Sequence, residues 1–510
     1  MKQIALLIVL GLFATSIPAF SQKFPEFAKD KILKDGDILI KEGIYKNKDD
    51  KNYPKKIKAD YITMAVKENR NNTESRIITI PILRIHSLNK DPKEPVFLLN
   101  GGPGGSNIYN FGIWLIDQHD IVMVGYRGAD GSTKLNSKAF GEAMVADTNT
   151  FSVEHCRKAG SVLKKELERF TNEGIDLNSY NIIEVIDDIE NARIKLGYNK
   201  VNLCAYSYGT RLGYIYGMRY PTSINRSFLA LVNPPGHFCY NPDVEDNILK
   251  EYGELWKKDT SNLKRSADII LTIKKVFTSM PVKWKKITID PGKIRLMMFT
   301  FLYSTDGTAQ IFDAFISAEN GDYSGLACLV MMYDMLPEMG QVWGDLIMKG
   351  ATADYVINKN YTTGTDSKEN LLGAPHSKLF AMIKFSGYQI DLIPEKYRKL
   401  DTSYVNTVLI NGNLDVSTPL TNARELLPYL PNGKLIIISD CSHMDLRLKQ
   451  PEVFIAFVKE YILTGQVKDG DFKHIPVNLG KPQKSLQKMG KSFYTLKRLG
   501  LLKIAARMAG

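Results

Sequence analysis

A short apolar run followed by a tight turn with a serine at its apex most constrains how this chain can fold. Residues 201–205 (Val-Asn-Leu-Cys-Ala) are long enough for one buried strand and too short for a helix. Residues 206–209 (Tyr-Ser-Tyr-Gly) turn the chain, and residues 210–219 are predicted to form a helix. Alanine and glycine, two positions before and after the serine, allow a strained turn to pack without collision. The stretch therefore predicts a strand-turn-helix unit that exposes the Ser207 hydroxyl.

Further apolar strands alternate with helical stretches along the chain. Helical periodicity is clear in residues 152–170 and 180–196, and residues 237–401 contain helices without strands. Strands that alternate with helices indicate a mostly parallel sheet with helices on both faces. The sequence thus predicts an α/β fold with an inserted helical cap domain. The predicted strands are 61–66, 76–85, 96–100, 121–124, 201–205, 227–233, 405–411 and 434–438.

The N-terminus has the pattern of a secretory signal peptide. Met1-Lys2 supplies a positive start, residues 4–13 are apolar, and Ala19-Phe-Ser21 is a small-x-small cleavage site. We expect a secreted or periplasmic protein after cleavage, with a signal anchor as the alternative. The domain prediction is a signal peptide (1–21), an N-terminal arm (22–58), the sheet core in two parts (59–236 and 402–465), a helical cap (237–401) and a basic C-terminal tail (466–510).

The positive charge is concentrated at the C-terminus. Ten Lys/Arg and two Asp follow residue 465, so the last 45 residues carry +8 of the formal net charge of +12. Charge confined to a tail argues against a nucleic-acid partner. Residues 492–507 suit either a basic amphipathic helix at an anionic membrane surface or an extension docked on its own domain.

The turn serine needs a base and an acid that orients the base. Asp415 follows the strand 405–411, and His443 follows the last strand, which gives the chain order serine, acid, histidine. The structural alternatives are that Asp415 forms an Asx-turn in its loop and that His443 is a structural surface histidine. Asp440 and Asp445 are rival acids, and His237 is a rival base for which we expect a packing or pocket-rim role.

A glycine-rich turn follows the predicted strand 96–100. Residues 101–105 (Gly-Gly-Pro-Gly-Gly) bring backbone N–H groups close to a ligand because no Cβ intervenes. We assign one oxyanion donor to Gly102, with Gly101 as the alternative, and the other to Tyr208. The turn lacks the Gly-Lys-Ser/Thr of a phosphate loop, and no Cys or His cluster has zinc spacing, so no cofactor or metal is expected. The five cysteines suit buried thiols with at most one or two disulfides.

Four segments together resemble the secreted prolyl/tripeptidyl aminopeptidase-like serine peptidases of the α/β-hydrolase superfamily. They are Gly101-Gly-Pro-Gly-Gly-Ser106, Tyr126-Arg-Gly128, Ser207-Tyr-Gly-Thr-Arg211 with Arg219-Tyr-Pro221, and the pair Asp415 and His443. The resemblance implies that Ser207 attacks a scissile carbonyl, His443 transfers the proton and Asp415 orients the imidazole. Asn100, Gly125-Tyr126 and Ala205 depart from the family pattern.

Substrate choice is expected to come from the cap. An aminopeptidase needs a carboxylate for the substrate's ammonium, and Asp334 and Glu338 have i, i+4 spacing on an apolar segment predicted as a helix over residues 325–339. A solvent-facing pair is the alternative.

The sequence predicts a secreted serine hydrolase, a peptidase acting at peptide N-termini. The alternatives are an esterase or amidase on small molecules and a catalytically silent binding protein.

Overall fold

A nine-stranded mixed sheet forms the centre of the molecule. The computed structural model describes residues 24, 31–48, 50–146, 149–338, 340–362, 370–372, 375–502 and 504; the predicted signal peptide lies outside them. The sheet order is β1-β2-β3-β5-β4-β8-β9-β12-β13. The first three strands pair antiparallel, and all pairs from β5 to β13 are parallel. The strands are β1 Ile38–Lys46, β2 Lys56–Lys67, β3 Ile77–Ile85, β4 Lys93–Leu99, β5 His119–Val124, β6 Arg127–Gly128, β7 Asp130–Lys134, β8 Val201–Tyr206, β9 Ile224–Ala230, β10 Lys283–Trp284, β11 Ile287–Thr288, β12 Thr407–Gly412 and β13 Gly433–Ile438.

Helices cover both faces of the sheet, and a helical block separates β9 from β12. The predicted α/β class is therefore confirmed. The α-helices are α1 Lys138–Val145, α2 Val153–Asn172, α3 Ile182–Lys195, α4 Tyr208–Arg219, α5 Pro242–Lys257, α6 Thr260–Leu263, α7 Ile269–Ser279, α8 Pro291–Phe301, α9 Thr305–Glu319, α10 Ser324–Tyr333, α11 Trp343–Asp354, α12 Pro375–Ser386, α13 Leu420–Leu426, α14 Asp445–Leu448, α15 Pro451–Thr464 and α16 Leu486–Arg498.

The central strands are apolar on both faces because both faces are covered. Along β4, Val96 and Leu98 belong to one hydrophobic core, and Phe97 and Leu99 belong to the other. This alternation is the two-residue period of a strand. A third core holds the helical block together, with Trp256 fully buried at its centre. The predicted catalytic and oxyanion residues follow the ends of four strands of this sheet, β4, β8, β12 and β13.

Several elements differ between the prediction and the structure. The prediction of no strands in residues 237–401 is wrong, because β10 and β11 pair there as a short hairpin, and strands of two residues leave no sequence pattern. The predicted N-terminal arm contributes β1, which pairs with β2; its polar, half-exposed residues are those of an edge strand and hid it in the sequence. The prediction of one helix over residues 325–339 is wrong, because α10 ends at Tyr333 and Pro337 cannot continue a hydrogen-bonded helix. Helix α11 was not predicted, since Gly344 and Gly350 weaken its helical signal.

The basic tail is folded over part of its length. Helix α16 buries Leu486, Met489 and Phe493 in the core of the helical block. A Cβ at Gly490 would lie 2.0 Å from the Ser324 carbonyl oxygen, so glycine permits the close approach of α16 to α10. Among the described helices, none is both long and apolar enough to cross a membrane. No disulfide links the cysteines, all five of which are described.

Candidate active site

Ser207 lies at the sharp turn between β8 and α4. Its backbone has φ +52° and ψ −123°, a conformation that non-glycine residues rarely adopt. The Ser207 N–H donates to the Ala230 carbonyl at 2.9 Å, which fixes the turn against β9. A Cβ at Gly209 would lie 2.1 Å from the Leu99 carbonyl oxygen, so only glycine lets α4 start this close to β4. The predicted strand-turn-helix unit is thus present, with fully buried Ala205 below it.

The glycine turn after β4 approaches the same position. Gly102 has φ +132°, which favours glycine. The Gly104 N–H donates to Asp345 Oδ2 at 3.0 Å, and the Gln341 side-chain amide donates to the Pro103 carbonyl at 3.0 Å. The backbone N–H groups of Gly102 and Tyr208 donate to no other residue in the described part of the chain. Both are therefore available to a ligand.

Asn107 fixes this turn from below, a role that no sequence motif indicated. Its side chain is fully buried and donates to the carbonyls of Leu98 (3.1 Å) and Val124 (2.8 Å), so it joins the ends of β4 and β5. Its Oδ1 accepts from the Asn100 N–H at 2.8 Å. Asn100, one of the departures from the family pattern, thus has a structural partner at this turn.

Asp415 and His443 form a buried pair at the ends of β12 and β13. His443 Nδ1 lies 3.0 Å from Asp415 Oδ1 and 2.9 Å from Oδ2. Asp415 also accepts from the N–H groups of Ser417 and Thr418, each at 2.9 Å, and from the Thr418 hydroxyl at 2.5 Å. These donors orient the carboxylate, and the carboxylate orients the imidazole.

In the part of the chain that the structure describes, Ser207 and His443 are not hydrogen-bonded to each other. Such contacts are often long without substrate and tighten when it binds. The His443 ring packs against Tyr303, with ring centroids 5.0 Å apart. The structure therefore joins the predicted acid and base, and places the predicted nucleophile separately at the turn.

A small cavity opens above Ser207. It has a volume of about 130 Å³, and core and helical block both contribute to its wall. Ser207 and both predicted oxyanion residues are in contact with it, and none of its lining residues is charged. The lining residues are Gly102, Pro103, Ser207, Tyr208, Asn233, Phe238, Tyr240, Tyr303, Gln341, Leu346, Ser417 and Thr418.

The loop that carries His443 is bound to the helical block. The Met444 N–H donates to the Tyr303 carbonyl at 2.7 Å, and Asp445 Oδ2 accepts from the Thr305 N–H at 3.0 Å. Asp445, a rival acid in the sequence, is thus occupied in holding the junction of α8 and α9. The helical block therefore holds the loop on which His443 lies.

Two other rivals are also bound elsewhere. His237 is hydrogen-bonded to Glu425 at 2.9 Å, and Asp440 is hydrogen-bonded to His474 at 2.7 Å. Neither His237 nor Asp440 lines the cavity described above. The structure therefore brings neither to the Asp415–His443 pair.

Asp334, one of the two carboxylates predicted for substrate recognition, does not line the cavity. Asp334 Oδ1 accepts from Lys293 Nζ at 2.6 Å, and Asp334 caps the end of α10. Glu338 belongs to a separate 3₁₀ turn, Leu336–Glu338, so the two residues do not share one helix. The single helix on which the i, i+4 prediction rested is therefore not present.

A different carboxyl group lies behind the cavity wall. Glu245 of α5 is buried, and neither of its side-chain oxygens has a hydrogen-bond partner among the described residues. Burial, and secondarily the charge of Asp246, raises the pKa of Glu245 well above its usual value. Its charge interacts with the hydroxyls of Tyr240 and Tyr303, which line the cavity. Sequence reasoning missed Glu245, because the side chains that surround it converge only in the fold.

The described residues contain no group of three or more His, Cys, Asp or Glu that could hold a metal ion. Lys349 and Asp345, both fully buried, form an ion pair beneath the glycine turn, with the Lys349 ammonium also donating to the Arg127 carbonyl.

Comparison with known proteins supports the fold. Residues 94–263 match a family model described as alpha/beta hydrolase fold. No curated protein sequence matches the chain. Similar solved structures include an alpha/beta hydrolase enzyme from a Medee basin deep-sea metagenome library (14% identity, 77% of this chain and 96% of that chain, TM-score 0.33). A second is a thermophilic esterase from Thermogutta terrifontis (13% identity, 78% of this chain and 98% of that chain, TM-score 0.34). A third is a proline iminopeptidase from Mycobacterium smegmatis (12% identity, 79% of this chain and 97% of that chain, TM-score 0.37).

At these identities and scores, the similar structures carry no information about substrate. The sheet, the strand-turn-helix unit at Ser207 and the match of residues 94–263 agree with one another. The chain therefore has the α/β-hydrolase fold, in which a helical block is inserted between β9 and β12.

Proposed function

We propose that this protein is a serine hydrolase that acts through an acyl-enzyme, with Ser207 as nucleophile, His443 as base and Asp415 as the residue that orients it. The observation that carries the proposal is the strained turn at Ser207 beside the available N–H groups of Gly102 and Tyr208. A strained turn of this kind exposes a serine hydroxyl to substrate and to oxyanion donors.

The proposed chemistry assigns one step to each of these groups. Ser207 Oγ attacks a carbonyl carbon while its proton passes to His443 Nε2, because Nδ1 is held by Asp415. The carbonyl oxygen becomes negative and accepts from the Gly102 and Tyr208 N–H groups. His443 returns the proton to the leaving group, and water then releases the acyl group by the same steps.

We further propose that the substrate is a peptide with a free N-terminus. Glu245 supports this choice, because a buried carboxyl without partners is stabilised in its ionised form by a neighbouring cation. The substrate's ammonium would supply that cation past Tyr240 and Tyr303. Glu245 replaces Asp334 and Glu338 in this role, since Asp334 is already paired with Lys293.

An esterase or amidase acting on small molecules is the second candidate. One observation favours it: the cavity is small, and no charged side chain lines it. A neutral acyl group would fit such a wall without any contribution from Glu245. The two candidates therefore differ in whether a free amine improves turnover.

Labelling with a fluorophosphonate probe tests the serine chemistry. We expect the protein to be labelled and the Ser207→Ala variant not to be. Ser417→Ala is the matched control, because Ser417 lines the same cavity and its N–H, which binds Asp415, is kept. An unlabelled wild-type protein with intact circular dichroism, or labelling that survives Ser207→Ala, would contradict the proposal.

Rates on three reporters decide between the candidates. They are an aminoacyl amide with a free amine, its N-acetyl form and the corresponding ester. Faster turnover of the free-amine amide than of its N-acetyl form supports the peptidase. Equal rates on both, with a preference for the ester, support the esterase.

We also propose that the protein is exported and cleaved near residue 21, on the strength of the N-terminal pattern. N-terminal sequencing of protein recovered outside the cytoplasm should begin at or near Gln22. Recovery of the uncleaved chain in the cytoplasm would contradict this proposal.

A further inference from the structure

The C-terminal helix and a short hairpin of the helical block meet on one surface. Trp284, at the end of β10, contacts Tyr494 of α16 with ring centroids 5.5 Å apart. The Lys285 ammonium lies 4.7 Å from the centroid of each of these rings. Two segments separated by about two hundred residues in the chain are thus joined, which no local sequence pattern indicates.

This contact brings together basic side chains that lack acidic partners. Lys497 and Arg498 follow Tyr494 by three and four residues, so they lie on the next turn of the same side of α16. Neither the hairpin segment 280–289 nor the segment 481–504 contains an acidic residue. Among the described residues, no carboxylate lies within 4.0 Å of the exposed cations Lys283, Lys285, Lys286, Lys497 and Arg498.

Exposed apolar side chains lie beside these cations. Val282, next to the hairpin lysines, is 75% exposed, and Leu499, directly after Arg498, is 64% exposed. Leu501 and Ile504 are also exposed. The apolar face of α16 is buried in the helical block, so these residues form a separate surface beyond it. We call Val282, Lys283, Lys285, Lys286, Lys497, Arg498 and Leu499 the hairpin–tail patch.

We propose that the hairpin–tail patch docks the protein on an anionic phospholipid surface. Unpaired cations attract anionic headgroups, and the exposed Val and Leu side chains beside them insert at the boundary with the acyl chains. A soluble acidic polymer would use the cations alone and would leave the apolar side chains in water. The proposal thus modifies the tail prediction. Helix α16 itself is docked on the helical block, and the hairpin together with the end of the tail would contact the phospholipid surface.

Vesicle co-sedimentation of the full-length mature protein tests the proposal. Vesicles of phosphatidylcholine are compared with vesicles that contain about one-third phosphatidylglycerol. We expect binding to the anionic vesicles only, weakened by salt. The triple variant K283Q/K285Q/K286Q should bind roughly 100-fold more weakly, and K497Q/R498Q should also bind more weakly. The second variant tests the patch independently if the first does not fold.

The matched control is K90Q/K93Q/K200Q, which removes the same charge from three exposed lysines of the sheet core that form no ion pair. It should bind like the wild type. The V282S/L499S variant should retain attraction at low salt and lose binding at high salt, where the apolar contacts dominate.

Three results would overturn the proposal. The first is equal weakening by the patch and control triples, which would indicate net charge alone. The second is equal binding of the wild-type protein to neutral and anionic vesicles, or binding to neither. The third is full binding by V282S/L499S at all salt concentrations, with heparin bound as tightly as vesicles, which would indicate an acidic polymer.

Discussion

Replacing Glu245 by Gln is the most informative perturbation of the proposed substrate site. The carboxyl is buried without a hydrogen-bond partner, and burial raises its pKa, so the free enzyme holds a proton there in acid. An ammonium ligand binds the ionised form and must first displace that proton. Because one proton is released per ligand bound, affinity for a free amine falls by at most about tenfold for each pH unit below the Glu245 pKa.

The ratio of kcat/KM for a free-amine substrate to kcat/KM for its N-acetyl form isolates this effect. A change that alters both rates alike cancels in this ratio. A peptide α-amine has a pKa of about 7.7–8.0, so the ligand keeps its charge between about pH 5 and pH 7. We expect the ratio to rise with pH in the wild-type enzyme and to be low and flat in Glu245→Gln.

Stability supplies a second readout with a defined sign. The folded-state pKa of Glu245 is raised, so its contribution to stability is full below the ordinary glutamate pKa and is lost as the pH rises towards the folded pKa. Wild-type stability relative to Glu245→Gln should therefore fall by up to about 1.4 kcal/mol per pH unit in urea unfolding. Glu254→Gln, an exposed change on the same helix, is the control. A ratio that is flat in the wild type, or rises equally in Glu245→Gln, would refute the assignment.

Three further predictions concern the site and its support. Thr418→Val removes the hydroxyl that donates to the acid of the proposed triad, and we expect kcat to fall about 10- to 100-fold while the protein stays folded, as single-turnover kinetics and circular dichroism would show. Gly209→Ala places a Cβ against backbone and should cost about 3 kcal/mol or more in urea unfolding, whereas Gly470→Ala, with open space around it, should change little. In the native protein, Ellman's reagent should react with Cys239 at most, because the other four thiols are buried; all five should react after denaturation.

The order of elements could be predicted from the sequence because strands and turns are local. The run before Ser207 is apolar at consecutive positions, as expected for a strand covered on both faces, and it is β8 in the structure. The residues Asp415 and His443 follow strands in the sequence, and parallel strands end at the same edge of a sheet, so their proximity could be expected. The edge strand β1 was not predicted. Most of its residues are exposed or half-buried, so they do not show the apolar pattern by which a strand is recognised.

Contacts between segments distant in the chain could not be predicted. The i, i+4 spacing of Asp334 and Glu338 indicated a shared helix face, but the helix ends before Asp334, which pairs with Lys293. Among the described residues, the Glu245 carboxyl has no hydrogen-bond partner because the fold places no donor within reach of it. The sequence alone does not show which side chains surround a buried residue.

The sequence by itself determined the fold class, the serine turn and the positions of the candidate triad residues. These follow from hydrophobic periodicity and from small residues at fixed offsets, which act over a few neighbouring residues. Only the tertiary structure decided which carboxyl lies unpaired behind the cavity, how Asn107 joins two strand ends and where the hairpin meets the C-terminal helix. Burial, pairing and charge clustering depend on contacts across the whole chain, and the packing of the three cores sets those contacts.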